Sequence, residues 1–177
     1  VAVTPPAAVR ERLNRHATAL AHPELRVLPA ENLHVTVLFL GAVERDAVEE
    51  LTGRLKRVAG EEAAFALSIA RAVPGPPRRP YMLWAQVDAS APLVRLSRAM
   101  HVVAHPLAPG LSKPLRGDAH ITLARGRGRV RGIEPAAIEP AVPAFEVPAL
   151  QLLRSHLSPK GARYETVTDL PLGVTTA

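Results

Sequence analysis

The apolar run Leu33–Leu40 constrains the fold of this 177-residue chain more than any other segment. Its β-branched residues and its length of eight predict a strand that is buried on both faces. Apolar residues recur at helical spacing before this run, over 9–20, and after it, over 48–58. Because Val1–Val3 also resembles a strand, helices and strands are interspersed from the first residues of the chain onward.

The rest of the pattern favours antiparallel strands joined by tight turns. A third helix is predicted around Leu93–Val103, with Asp88 or Ser90 as its N-terminal cap. Pro159–Gly161 is predicted to turn between the last two strands. This order favours an α+β fold with largely antiparallel sheets over a doubly wound parallel sheet. The further strands are predicted at Phe65–Val73, Tyr81–Val87, Ala119–Leu123, Phe145–Leu157 (interrupted by Pro148) and Tyr164–Leu170.

The composition excludes several kinds of site. The chain has no cysteine, which excludes disulfides, cysteine-ligated zinc, iron–sulfur clusters and thiol nucleophiles. Aromatic residues make up 3%, too few for a groove lined with stacked rings. No apolar run approaches the roughly 18 residues of a membrane span, and the N-terminus lacks the pattern of a signal peptide. The sequence therefore predicts a soluble, cytoplasmic protein that does not engage a membrane.

The positive charge is concentrated in one segment of the chain. The formal net charge is +6, and residues 89–177 carry 11 Lys and Arg against 6 Asp and Glu, a net of +5. Within 95–131 there are eight basic residues and a single acid, Asp118. This distribution favours a polyanionic partner without naming one.

Two matched tetrads are the most informative motif. His34-Val35-Thr36-Val37 is followed 86 residues later by His120-Ile121-Thr122-Leu123, so the two halves of the chain look duplicated. In a strand, residues two apart point to the same face, which places each His beside its Thr about 7 Å along the strand. With only seven histidines in the chain, two such tetrads are not expected by chance.

Two histidines that face one cleft form an acid–base pair, because one imidazole can be neutral at pH 7 while the other is protonated. This pair suits transfer at phosphorus, where one proton leaves the attacking water and another reaches the leaving oxygen. Threonine hydroxyls can donate hydrogen bonds to the non-bridging oxygens. Arg125 lies three residues beyond Thr122, just past the predicted strand, and adds a charge suited to phosphate. The chemistry requires no metal or cofactor, and none is predicted.

The residues around both tetrads resemble the paired signatures of the 2H phosphoesterase superfamily. They are most similar to its bacterial and archaeal RNA 2′,3′-cyclic phosphodiesterases, also called 2′-5′ RNA ligases or LigT-like proteins. The similar segments are His34–Gly41 and His120–Arg125, with flanks at Pro29–Leu33, Leu153–Ser155 and Gly161–Tyr164. The resemblance covers essentially the whole chain, so residues 1–177 are expected to form a single bilobal domain.

The resemblance implies a duplicated α+β fold with flanking helices and a central cleft between two antiparallel sheets. It implies that His34 and His120 are catalytic and that Thr36, Thr122 and Arg125 bind phosphate. The expected reaction opens a terminal 2′,3′-cyclic phosphate to a 2′-phosphate without a metal, with His34 protonating O3′ and His120 activating water. The same groups would support the reverse reaction, which joins RNA ends through a 2′-5′ linkage.

The expected partner is RNA that ends in a 2′,3′-cyclic phosphate, such as a tRNA fragment. The protein is expected to be a monomer and to act in RNA processing. Five further residues are candidates for RNA contacts. Phe39 and Trp84 are candidates for stacking on a base, Arg127 and Arg129 for following the backbone, and His156 for approaching the cleft.

Two other functions are also compatible with the predicted cleft. One is a non-catalytic module that binds RNA or a nucleotide, and the other is a phosphodiesterase that acts on small nucleotide or ADP-ribose cyclic phosphates. The arginine-rich segment 125–131 modestly favours a longer anion. His101 and His105 are four apart on the predicted third helix, but no third ligand accompanies them, so no metal site is expected.

Overall fold

Three helices flank the sheet of this protein in a computed structural model that describes residues 1–20, 22–88, 91–138, 141–159 and 161–173. They are α1 (Ala7–Ala19), α2 (Ala47–Gly60) and α3 (Ala91–Ala104). Each buries an apolar stripe at steps of three or four residues, as the sequence predicts. Within the described ranges, no helix has the length and apolar character needed to cross a membrane.

Ten described strands pair in antiparallel fashion, which confirms the α+β class. The hydrogen-bonded order is β10-β9-β1-β3-β6-β5-β4-β7, with β2 paired to β6 and β8 paired to β4. Their bounds are β1 (Ala2–Val3), β2 (Leu25–Val27), β3 (Val35–Thr36), β4 (Phe65–Gly75), β5 (Met82–Asp88), β6 (His120–Gly126), β7 (Ala136–Ala137), β8 (Phe145–Val147), β9 (Ala149–Ser158) and β10 (Gly161–Pro171).

The strands and helices form two halves. One half contains β10, β9, β1 and β3, and α2 packs on β9, β10 and α3. The other half contains β6, β5, β4, β7 and β2, and α1 contacts β2 and β6. The halves meet where β3 pairs with β6, and their registered residues are Val35 and Ile121. The two predicted sheets are therefore joined at their centre into one continuous strand order.

Most predicted elements occupy the predicted positions. Pro148 divides the strand after Phe145 into β8 and β9, and the last predicted strand lies within β10. Ser90 and Lys160, predicted in a cap and a turn, lie outside the described residues. Asp88, the other cap candidate, is the last residue of β5. The short strands β2 and β7 have no counterpart in the prediction, since neither has a distinct period-two pattern.

The predicted eight-residue strand Leu33–Leu40 is wrong in extent, because only Val35 and Thr36 join the ladder as β3. The preceding residues Ala30–Asn32 form a 3₁₀ helix. After Thr36 the backbone NH groups of Val37 and Leu38 both donate to the carbonyl of Val1, at 2.9 and 3.2 Å. Hydrophobic composition made the segment resemble a strand, whereas Val37, Leu38 and Leu40 are buried in the core outside the ladder.

A buried serine holds the segment that follows β3. Ser97 on α3 is fully buried, and its hydroxyl donates to the carbonyl of Val37 at 2.7 Å. The same oxygen accepts from the backbone NH of Leu115 at 3.0 Å. These bonds satisfy backbone groups that have no ladder partner, so the chain can leave the sheet directly after the first tetrad.

Candidate active site

The two tetrads meet at the centre of the molecule. Val35 and Ile121 are the second residues of the tetrads, they are register partners in the antiparallel β3–β6 pair, and both are fully buried. Antiparallel pairing relates two strands by a local twofold axis. Continuing this register places His34 across from Thr122 and His120 across from Thr36. The two histidines are then diagonal neighbours, about 7–8 Å apart between Cα atoms, on the face opposite the buried pair.

Each histidine ring is held in the same way. The Nδ1 atom of His34 lies 2.9 Å from the carbonyl of Asn32, and that of His120 lies 2.8 Å from the carbonyl of Asp118. Because a carbonyl oxygen only accepts hydrogen bonds, Nδ1 carries the proton in both rings. The Nε2 atom of each ring is therefore the atom that exchanges protons with a ligand.

The ring of His34 lies in the more enclosed environment. Its centroid is 4.6 Å from that of Tyr164 on β10, and the ring planes meet edge to face at 71°. Burial lowers the pKa of His34, and the hydrogen bond to Asn32 opposes this effect. The charges of the N-terminal amino group and of Arg125 lower the pKa further. The neutral imidazole is thus favoured at position 34.

The ring of His120 instead lies on a tryptophan. Its centroid is 3.8 Å from that of Trp84, with the two planes 17° apart. Behind the indole, a Cβ on Gly75 would overlap the ring carbons of Trp84, so only glycine allows the ring this position. Gly75, Trp84 and His120 form a stack of backbone, indole and imidazole that fixes the plane of the catalytic candidate. Trp84 was predicted as a base-stacking residue, whereas this face of its ring is occupied by His120.

The threonines flank the histidines. Thr36 is exposed on β3, and Thr122 is half-buried on β6 across from Trp84 on β5. Strand alternation directs both hydroxyls to the face that carries the two imidazoles. The structure therefore brings together the four tetrad residues that the sequence singles out.

A β-bulge brings Arg125 to the same face. Arg125 lies within β6 rather than just past the strand, so this part of the prediction was wrong. Ala124 pairs with Leu83, and Thr122 pairs with Trp84, which leaves Leu123 as an extra residue between them. Regular alternation would direct the side chain of Arg125 to the other face of the strand from that of Thr122. The extra residue reverses the direction of the Arg125 side chain, so both side chains lie on one face. Arg125 consequently pairs with Met82, which shares a face with Trp84.

Further polar residues extend this face across neighbouring strands. Arg26 on β2 is the register partner of Arg125, so two arginines occupy paired positions on neighbouring strands. Gln86 pairs with His120, and its Oε1 accepts a hydrogen bond of 3.1 Å from Nε of Arg71 on β4. The second half thus presents an open, basic face on which an anion would lie over His120.

Comparisons with known proteins agree with this architecture. Residues 3–84 match the model of a family described as LigT like phosphoesterase. The crystal structure of TT0787 of Thermus thermophilus is 26% identical in sequence and covers 98% of this chain and 97% of its own, with a TM-score of 0.83. The chain is therefore similar to LigT-like phosphoesterases in sequence over residues 3–84 and resembles TT0787 in fold over nearly its whole length.

Two curated relatives of this chain carry the name RNA 2′,3′-cyclic phosphodiesterase. The protein from Geobacillus stearothermophilus is 32% identical over 148 residues, which cover 80% of this chain and 46% of that protein. The chain therefore spans about half the length of this relative. The protein from Archaeoglobus fulgidus is 26% identical over 144 residues, which cover 80% of each chain.

Four other residues were predicted to contact RNA. Phe39 is 60% exposed, and its backbone pairs with Ser112 through hydrogen bonds of 3.2 and 2.8 Å. Arg127 and Arg129 are exposed in the segment after β6. The Nε2 atom of His156 lies 2.7 Å from the carboxylate of Glu165 across the β9–β10 hairpin. Among the described residues, no hydrogen bond or ring contact joins any of these four residues to His34 or His120.

The two histidines of α3 lie close together. The rings of His101 and His105 are 6.0 Å apart on α3. Over the parts of the chain that the structure describes, no group of three or more His, Cys, Asp or Glu side chains is placed to hold a metal ion.

Several residues that shape the site carry no sequence signal of that role. The carbonyls of Asn32 and Asp118 act through the backbone, which is common to every residue. The stack of Trp84 on Gly75 depends on strand register between β4 and β5, which the sequence leaves open. Tyr164 lies within a flank that resembles the family, and this flank was its only signal.

Proposed function

We propose that this protein opens RNA-terminal 2′,3′-cyclic phosphates to 2′-phosphates by metal-independent catalysis with two histidines. The observation that carries the proposal is the antiparallel pair Val35–Ile121, about which the tetrads are related by a local twofold axis. In this arrangement both imidazoles belong to one face of the sheet, and we propose that the phosphate lies between their Nε2 atoms. The names of the curated relatives support the same reaction.

In the proposed reaction, one histidine takes a proton from water while the water oxygen forms a bond to phosphorus. The bond between phosphorus and O3′ breaks, its electron pair stays on O3′, and the other histidine gives O3′ a proton. The products are a 2′-phosphate and a free 3′-hydroxyl. If an RNA 5′-hydroxyl replaces water in these steps, its oxygen forms the bond to phosphorus, O3′ leaves, and the same two groups join the ends through a 2′-5′ linkage.

We assign the base role to His34 and the acid role to His120. The lowered pKa of His34 favours the neutral ring, which is the form that accepts a proton from water. This assignment is the reverse of the sequence-based expectation, in which His34 protonates O3′. A substrate with an altered leaving group distinguishes the two assignments. The hydroxyls of Thr36 and Thr122 bind the non-bridging oxygens, and Arg125 balances their charge.

The proposed substrate is an RNA end, because the face around His120 carries Arg26, Arg71 and Arg125 and suits a chain of phosphates. Since one histidine comes from each half, we propose that residues 1–177 act as one bilobal unit.

The test is product analysis with short oligonucleotides that end in a 2′,3′-cyclic phosphate, in excess EDTA. The expected product is the 2′-phosphate, and His34→Ala and His120→Ala are expected to abolish its formation, whereas the helix variant His105→Ala retains it. Loss of activity in EDTA that a divalent ion restores would contradict metal independence. RNA binding without hydrolysis of any cyclic phosphate would favour a binding module, and hydrolysis of mononucleotides alone would favour a small-molecule phosphodiesterase.

A further inference from the structure

A polar cavity of about 290 Å³ lies beside His34, on the side away from the β6 strand. Its floor is the open face of β1, β9 and β10, whose side chains Gln151, Tyr164 and Thr166 line it together with Thr4. The volume is close to the lower end of the roughly 300–1,000 Å³ typical of small-molecule sites. No part of the reaction described above uses this space.

The charges around the cavity do not favour an anion. Arg10 and Glu31 lie at its edge and carry opposite charges. The guanidinium of Arg10 is engaged with the backbone, since Nε donates to the carbonyl of Pro5 at 3.0 Å and a terminal nitrogen donates to that of Ala30 at 3.4 Å. The cavity therefore differs from the arginine-rich face around His120 and suits an uncharged ligand with polar edges.

One lining side chain lacks an internal partner. The Oε1 atom of Gln151 is buried, and among the described residues no donor lies within hydrogen-bond distance of it. A buried acceptor without a donor is unfavourable, so a ligand that supplies an N–H or O–H there gains binding free energy. The hydroxyls of Thr4 and Thr166 offer further donors and acceptors in the same space.

We propose that this cavity binds the nucleobase of the nucleoside that carries the cyclic phosphate. A base is uncharged, planar and polar at its edges, which matches the amide and hydroxyl lining and the ring of Tyr164. His34 lines the cavity and also faces the reacting phosphate, so a base in the cavity is joined to that phosphate through one ribose. The inference rests on the proposed function, because it identifies the substrate by the phosphate beside His34.

The test compares kcat/KM for the four nucleoside 2′,3′-cyclic phosphates with that for 1-O-methylribose 2′,3′-cyclic phosphate, which has no base. The wild type is expected to prefer at least one nucleoside substrate by tenfold or more. Gln151→Leu is expected to reduce this preference to threefold or less and to leave the base-free rate unchanged. Thr166→Val is expected to reduce the preference by two- to fivefold, whereas Thr168→Val on the same strand, outside the cavity, retains it.

Equal rates with and without a base in the wild type, or an unchanged preference in Gln151→Leu, would overturn the proposal. A rate increase that depends on a 5′-phosphate rather than on the base would assign the cavity to an anion and would also overturn it. Calorimetric titration with adenosine, cytidine, guanosine and uridine separates the cavity from the chemistry. The proposal is supported if one nucleoside binds and Gln151→Leu weakens that binding about tenfold while the thermal unfolding midpoint stays unchanged. This result would support the cavity even if no cyclic phosphate is hydrolysed. Binding of none of the four nucleosides would overturn the proposal.

Discussion

The two histidines share a backbone device but occupy different surroundings. Both rings bond through Nδ1 to a carbonyl two residues earlier in the chain. The ring of His34 is enclosed by protein, with Tyr164 against it and a polar cavity beside it. Around His120 the face is open, with Trp84 beneath the ring and arginines on neighbouring strands.

The difference explains how a duplicated motif supports two distinct tasks. The shared hydrogen bond sets the same tautomer in both rings, whereas burial and the charge of Arg125 lower the pKa of His34. A proton acceptor is thereby favoured in the enclosed half, and the arginines of the open half suit the phosphate charge of the proposed substrate.

The largest effect is expected from loss of either ring. His34→Ala and His120→Ala should each lower kcat for a cyclic phosphate by about 10²–10⁴, because each removes one proton transfer. The double variant should be only slightly slower than either single variant, since the two groups act in one step. Steady-state kinetics on folded variants measures this, and a double variant that shows the product of both losses would contradict joint action.

Arg125→Ala should lower kcat/KM by about 10–10²-fold, because it removes a charge-assisted contact with the phosphate. It should also change the pH profile. Since Arg125 lowers the pKa of His34, its removal raises that pKa, and the acid limb of kcat/KM should move to higher pH. A profile of kcat/KM between pH 4 and 9 measures the shift.

The exposed helix residue Arg98 provides the control for this variant, and Arg98→Ala should retain both the rate and the acid limb. An acid limb that moves to lower pH in Arg125→Ala would contradict the assigned electrostatic interaction.

Gly75→Ala should disturb the open half alone. Its Cβ would overlap the indole of Trp84, so the ring must move and His120 loses its support. We expect kcat to fall about tenfold with little change in KM, together with a shift in the fluorescence of Trp84, the single tryptophan of the chain. Gly128→Ala, whose Cβ would meet no atom within 4 Å, should change neither quantity.

Tyr164 should give the smallest effect. Tyr164→Phe keeps the ring edge against His34, so the rate should change less than threefold. Tyr164→Leu removes the aromatic ring and exposes the imidazole, which should raise the pKa of His34 and move the acid limb slightly to higher pH. If the acid limb of the kcat/KM profile is unchanged in Tyr164→Leu, the contact between the two rings does not contribute to the burial of His34.

Features that depend on local sequence patterns could be predicted. Strand alternation is local, so the shared face of each His and Thr could be predicted from two-residue spacing alone. The helices could be predicted because their apolar stripes repeat at steps of three and four. The α+β class followed from the order of these elements along the chain.

The features that distinguish the two histidines depend on non-local register. The bulge at Leu123 turns Arg125 toward the site, and nothing in the sequence marks it. The indole of Trp84 reaches His120 only because Gly75 pairs across from Met82. The extent of β3 was overestimated because Val37 and Leu38 are buried by contacts outside the ladder, and burial selects the same apolar residues as a strand does.

The central claim is that His34 activates water and His120 protonates the leaving oxygen. The most direct test measures both alanine variants on a nucleoside 2′,3′-cyclic phosphorothiolate, in which sulfur replaces O3′. A thiolate leaves without protonation, so the sulfur substrate should restore His120→Ala by at least tenfold relative to the oxygen substrate and should leave His34→Ala inactive. Restoration of His34→Ala instead, or of neither variant, would contradict the claim.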